Sequence, residues 1–176
     1  MTATPAQALA RAHNQSVNGP TYETGMCLRA TRQLYSVPAL YGDAATAWAH
    51  TKHRIPLGAN APAGALVWWT GGSHGHGHVA LATGDGYCWS VDIRRPGRFD
   101  RVPIDTITRQ WGLRLVGYSR DVNGVQVVPD PPKPTPNLDH AIRDLRRSRD
   151  HAGPKRRARL TDLIKRVRAL RRRVRR

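Results

Sequence analysis

Long apolar runs are missing from this chain. No stretch approaches the roughly 20 consecutive residues that a bilayer-spanning helix needs, so no such helix is expected. Acidic residues are scarce, with 12 Asp and Glu against 29 Lys and Arg among 176 residues. Only two cysteines occur, Cys27 and Cys88. That is too few for a disulfide framework, and leaves either one bridge or two thiols of different role. The opening "MTATPAQALARAHNQS" lacks a charged start followed by an apolar core, so it does not read as a secretory signal. Synthesis and residence in a cytoplasm are expected.

The charge that is present is unevenly spread. Residues 1–130 carry 12 Lys and Arg against 8 Asp and Glu, whereas residues 131–176 carry 17 against 4. An ordinary body therefore precedes a polycationic extension suited to an anionic polymer or surface. Between them "PDPPKPTP" holds five prolines in eight residues, an extended linker. The expected division is a body over 1–128, a linker over 129–137 and a basic helical tail over 138–176.

Within the body, Thr4-Pro5 reads as a helix cap and first turn, with the helix running to about His13. A loop rich in Asn, Gly, Ser and Thr follows. "CLRATRQLY" and the Ala-rich stretch after Asp43 read as two further helices, the second capped by Asp43. "ALVWWT" is a strand. "HVALAT" and "YCWSVDI" flank Gly84-Asp85-Gly86 as a hairpin. "PIDTITRQWG" is a short helix or turn ending at Gly112, and "LRLVGYSRDV" is another strand, which "NGVQVV" extends after a turn. Helices first and strands afterwards indicate an α+β domain with an antiparallel sheet.

Cys27 stands where its helix begins, and backbone N–H groups there favour a thiolate and lower the cysteine pKa. A nucleophilic cysteine also needs a base and a group that orients the base. His78 opens a strand about fifty residues later, and the hairpin returns Cys88, Ser90 and Asp92 on alternate positions. Ser90 or Asp92 could accept the second N–H of His78. A carboxylate does this better, because it stabilises the imidazolium.

These segments resemble the papain-like peptidoglycan hydrolases of the NlpC/P60 and CHAP group. The residues that carry the likeness are "GMCLRATRQLY", "PAGALVWW", "GHVALATGDG", "WSVDIRRPG" and "WG" followed by "GYSRDVNGV". Over roughly residues 20–127 the order is similar to lysin domains of phages that infect actinobacteria. The resemblance implies a papain-like fold and a thiol mechanism on wall peptide, with Cys27, His78 and Asp92 as the catalytic set. Tyr22, Trp69, His76 and Ser90 are expected around the substrate, and Cys27 N–H with a group near Tyr22 as oxyanion donors. Residence in the host bacterial cytoplasm until release to the wall would follow. Met26 and Leu28 flank the cysteine where NlpC/P60 proteins usually have Asp and Ser, and Ser90 falls at their third catalytic position.

Plainer readings stand beside these. Cys88 is expected to be structural. His74, His76 and His78 could bind zinc or nickel, but glycines separate them and no Cys or carboxylate cluster accompanies them. A polar loop at a cleft rim is preferred, with no metal or cofactor. Adjacent strand residues point to opposite faces, so of Trp68 and Trp69 one is expected in the core and the other exposed. Arg94, Arg95 and Arg98 read equally as anion contacts or a solvated loop.

In the tail, Leu138, Ile142 and Leu145 share one helical stripe. Leu160, Leu163, Val167, Leu170 and Val174 repeat at spacings of three and four. Gly153-Pro154 divides the two. A helical hairpin or pairing with a second copy would bury the stripes, since such a helix alone is marginal. Anionic wall polymers or a membrane surface are the expected partners. No specific nucleic acid is expected, because the tail has no aromatic residue for base stacking. The rival reading is a non-catalytic module whose tail binds nucleic acid or an anionic surface.

Overall fold

The computed structural model describes residues 1–131 and 138–174. They form two compact units, Met1–Asp130 and Pro131–Arg176. The Pro-rich linker falls largely on 132–137, outside the described residues.

The first unit is α+β with an antiparallel sheet. Helix α1 (Pro5–Asn18) begins with a reciprocal cap: the Gln7 amide donates to the Thr4 hydroxyl and the Thr4 amide to the Gln7 side chain. It continues five residues beyond His13, through what reads in sequence as the start of a loop. The buried spacing Ala8, Ala12, Ser16 explains this, because i, i+4, i+8 keeps one face on the core. Helix α2 (Cys27–Leu34) buries Cys27, Leu28, Ala30, Thr31 and Leu34. Helix α3 (Ala44–Ala49) is capped by the Asp43 carboxylate, which accepts from the Thr46 amide at 2.7 Å.

Six strands follow: β1 (Arg54–Ile55), β2 (Leu66–Thr70), β3 (His78–Ala82), β4 (Tyr87–Val91), β5 (Phe99–Pro103) and β6 (Arg114–Ser119), with helix α4 (Ile104–Trp111) between the last two. Their order across the sheet is β1-β6-β2-β3-β4-β5, and each neighbouring pair is antiparallel. A small hairpin, β7 (Asp121–Val122) and β8 (Val125–Gln126), closes the unit. Strands β1 and β5 are additions to the sequence reading. β1 is only two residues long and β5 has the adjacent charges Asp100 and Arg101 at its centre, so pairing, not an alternating pattern, makes each a strand.

The sheet is covered on both faces. Trp68, Val79, Leu81 and Val91 pack with α1, α2 and α3, while Val67, Trp69, Ala80, Ala82, Cys88 and Val102 pack with Ile107 of α4 and Leu113. The expectation that one of Trp68 and Trp69 is exposed is therefore corrected: both are fully buried. They do point to opposite faces, but each face has its own core. Each indole N–H is satisfied, Trp68 by the Ser119 hydroxyl at 2.8 Å and Trp69 by the Thr108 hydroxyl at 3.1 Å.

The second unit contains α5 (Leu138–Asp150) and α6 (Pro154–Val174) packed as a hairpin across Gly153. Ile142 and Ile164 are its buried side chains. Leu163, expected in the seam, is 42% exposed. The inward line of α6 runs through the half-buried Leu160, the buried Ile164 and the half-buried Val167, and Leu163 lies off it. The side chains of Leu138, Leu170 and Val174 lie outside those described. No described helix is long and apolar enough to cross a membrane.

Candidate active site

The residues around Cys27 are brought together by three local devices. The first is the packing of α2 on β3, which includes the Thr31 hydroxyl donating to the Val79 carbonyl at 3.5 Å. The second is the histidine loop. Gly77 has φ +66°, and any Cβ there would collide with the Trp69 carbonyl. The Ala45 amide donates to the His76 carbonyl at 2.8 Å, and the Gly77 amide to the Gly71 carbonyl at 3.2 Å. The glycines thus let a tight loop dock on α3 and deliver His78 to the first position of β3. The third is the turn before α2, described below.

These devices open a cleft of about 950 Å³. Its lining includes Gly25, Met26, Cys27, Arg29, Arg32, Tyr41, Asp43, His76, His78, Asp92 and Trp111. Cys27, His78, Asp92 and His76 are therefore gathered at one place, from three separate segments of chain.

His78 is buried, and its Nε2 lies 2.8 Å from the Ser90 hydroxyl. Ser90 is itself fully buried and donates to the Val91 carbonyl at 3.1 Å. The imidazole sits beside Trp69, with ring centroids 5.8 Å apart, and edge-on to Trp111 at 4.9 Å. Burial pushes its pKa down from 6.5 to about 3, so the ring is neutral at physiological pH.

The expected contact between Asp92 and His78 is not made. Strand β4 ends at Val91, and Asp92 turns into the left-handed region at φ 70°. Its carboxylate accepts from the Gly25 amide at 3.1 Å and the Gly97 amide at 2.6 Å. The group on the imidazole is Ser90.

Cys27 also departs from expectation. Its thiol pKa is raised from 9.0 to about 11. Burial is the main cause. The amides of Val79 and Leu28 and its own N–H pull the other way, and the nearby Asp92 charge adds to the rise. The start of a helix lowers a cysteine pKa only while the sulfur keeps enough polar surroundings, and here the sulfur is 5% exposed as a residue. No hydrogen bond joins it to His78 among the described residues. The resting pair is thiol and neutral imidazole.

The remaining assignments divide. His76 lines the cleft and Ser90 holds the histidine. Tyr22 is not at the cleft: its hydroxyl donates to Gln15 at 3.0 Å, its amide to the Gly97 carbonyl at 2.8 Å, and its ring packs edge-on to Phe99. Trp69 is core, so it offers no stacking surface. Trp111 takes that place. It is 37% exposed, forms a wall of the cleft and touches the catalytic-candidate imidazole. In sequence it is only the last residue before the Gly112 helix stop. Arg95 is spent on Asp100 at 2.7 Å and on the Ser16 and Phe99 carbonyls, and Arg98 on the Gly19 carbonyl.

Cys88 is fully buried on the α4 side, unbridged, with its thiol raised by burial to about 12. Among the described residues, no group of three His, Cys, Asp or Glu side chains is placed to hold a metal. Comparison with protein-family models, with curated proteins and with solved structures gave no match.

Proposed function

We propose that the first unit is a cysteine peptidoglycan hydrolase of papain-like fold, of the NlpC/P60 and CHAP kind. It acts as a phage-type lysin on amide or peptide bonds of the bacterial wall. One observation carries this reading: Cys27, at the first residue of a helix, and His78, oriented by Ser90, line the same substrate-sized cleft.

The chemistry follows from the protonation states. Sγ attacks the amide carbonyl and forms a C–S bond while the thiol proton passes to His78. The tetrahedral oxyanion collapses, the C–N bond breaks, and His78 gives the proton to the leaving amine. Water, deprotonated by the same imidazole, hydrolyses the thioester and restores the thiol. Nε2 is engaged by Ser90, so Nδ1 is the nitrogen that works. The thiol and imidazole are both neutral at rest, so proton transfer accompanies attack and does not precede it. Closing the distance from Sγ to Nδ1 falls to the substrate complex, where such contacts tighten. Trp111 and Met26 supply apolar walls, and Arg29, Arg32 and His76 supply donors.

In the second unit, α6 presents ten Lys and Arg with one Asp over its 21 residues. Such a helix anchors the enzyme to anionic wall polymer or a membrane surface by electrostatic attraction. The protein is held in the host cytoplasm until release.

The raised thiol, the depressed imidazole and the missing bond between them favour a second reading, an inactive hydrolase-like module whose basic tail does the binding. Mass spectrometry of purified actinobacterial peptidoglycan after digestion separates the two. New termini that Cys27→Ala fails to produce name the bond and support the enzyme. Undigested wall that still binds the protein supports the module.

A further inference from the structure

The turn that delivers Cys27 is tied to the loop after β4 by the side chain of Asp92. Among the described residues, Asp92 is one of three non-glycine residues with positive φ. Its two carboxylate oxygens are divided between two loops: Oδ2 takes the Gly25 amide, two residues before Cys27, and Oδ1 takes the Gly97 amide. The same loops meet a second time where the Tyr22 amide donates to the Gly97 carbonyl. Gly97, at φ +68°, has no room for a Cβ against the Tyr22 carbonyl. The approach of the two loops is thus built into their sequences.

We propose that Asp92 is a positioning residue for Cys27: its carboxylate pins the turn entering α2 to the 92–98 loop and sets a negative charge against the sulfur. It acts through Cys27 and does not touch the histidine. This rests on Cys27 as the reactive thiol of the cleft, and goes beyond the reading of the protein as a wall hydrolase.

The charges that face the sulfur support the assignment. Arg29 and Arg32 of α2 line the cleft, Arg32 donating to the Val37 carbonyl at 3.0 Å, and His78 is neutral. His76 lies at the rim, and the Asp43 carboxylate is spent on the Thr46 amide and hydroxyl. Asp92 is the carboxylate whose charge opposes ionisation of Cys27, second to burial itself. The consequence is that Asp92 adds to the brake that burial already places on ionisation of Cys27. A substrate that draws either amide away, or screens the carboxylate, removes that part of it.

The test uses the full chain with Cys88→Ser, and reads alkylation of Cys27 by iodoacetamide against pH by mass spectrometry. Asp92→Asn and Asp92→Gly both tolerate the left-handed backbone, so they remove the charge with little strain. Each should speed alkylation at pH 8 about threefold or more and move its midpoint to lower pH. Asp92→Glu keeps the charge and should not lower the midpoint. Hydrogen exchange at the Gly25 and Gly97 amides should accelerate in all three variants. An unmoved or raised midpoint in Asp92→Asn and Asp92→Gly overturns the charge role. A shift of equal size in Asp92→Glu does so too, because a structural change alone would then explain it. Free exchange at Gly25 and Gly97 in the wild type overturns the tie without any variant. Failure to digest peptidoglycan leaves all of these readouts intact, so it tests the hydrolase reading alone.

Discussion

The first unit buries two tryptophans, a tyrosine and a phenylalanine on a six-stranded sheet with a core on each face, whereas the helical hairpin after the linker buries Ile142 and Ile164. The first can stand on its own packing. The second is a pair of short, highly charged helices with little apolar area between them, and small units of this kind are marginal in water. A chain that spends most of its apolar residues in one unit and concentrates its net positive charge in the other separates a task that needs fixed geometry from one that needs only charge. Even within the first unit the contrast repeats: Cys88 and Cys27 are both buried with raised thiols, but only Cys27 opens onto the cleft.

The sharpest way to break this comparison is at the two cysteines. Cys27→Ala or Cys27→Ser should lower wall hydrolysis by about 10⁴-fold or more, because nothing else in the cleft can form the thioester. Cys88→Ser should retain most of the activity. Turbidity clearing of actinobacterial walls reads both, and the reverse pattern would move the nucleophile to the other face of the sheet.

Next comes packing. Trp68→Ala removes a fully buried ring and its hydrogen bond to the Ser119 hydroxyl, and should cost about 3–5 kcal/mol in the first unit. Urea unfolding followed by near-ultraviolet circular dichroism measures it. Loss of the helical signal of residues 138–174 at the same urea concentration would show that the two units do not unfold separately.

Ending the chain after Asp130 removes 17 of the 29 basic residues and none of the cleft residues. The melting temperature of the first unit should be preserved, while binding to intact walls should fall about tenfold at low salt. The difference should fade as the Debye length shrinks from about 30 Å at 0.01 M to about 10 Å at 0.1 M. Salt-independent binding that survives truncation would remove charge from the account. A change of mass in sedimentation would instead assign α6 to self-association through the exposed Leu163.

The last effect is spread over a pH range as a slope. His78 binds its proton near pH 3 in the folded chain and near 6.5 when unfolded. Between those values the unfolded state holds more protons, so stability falls as pH drops from about 6.5 toward 3, at up to about 1.4 kcal/mol per pH unit. Urea titrations across that window should show the slope, and His78→Gln should flatten it. An unchanged slope would mean that the imidazole is less buried than its neighbours make it.

Much of the fold was legible along the chain. The capping residues Thr4 and Asp43, the period of α2, the Gly84-Asp85-Gly86 hairpin and the Gly112 stop are local signals, and each marks its element. The sheet edges β1 and β5 were not legible, because a short edge strand owes its state to its partner. In the cleft, the positions of Cys27 and His78 followed from a helix start and a strand start. The roles of Ser90 and Asp92 did not. Alternation along β4 put both on the face of His78, and the preference for a carboxylate rested on chemistry alone.

What the sequence determined by itself is whatever depends on neighbours in the chain: the element order, the antiparallel class, the charge division at the prolines and the placing of a thiol at a helix start. Tertiary structure decided the rest. It covered both faces of the sheet and so buried both tryptophans. It turned Asp92 out of its strand at φ 70° and handed the imidazole to Ser90. It also raised the thiol that local dipoles would lower, because desolvation of a buried charge outweighs a few aligned amides, and desolvation is a property of everything packed around the sulfur.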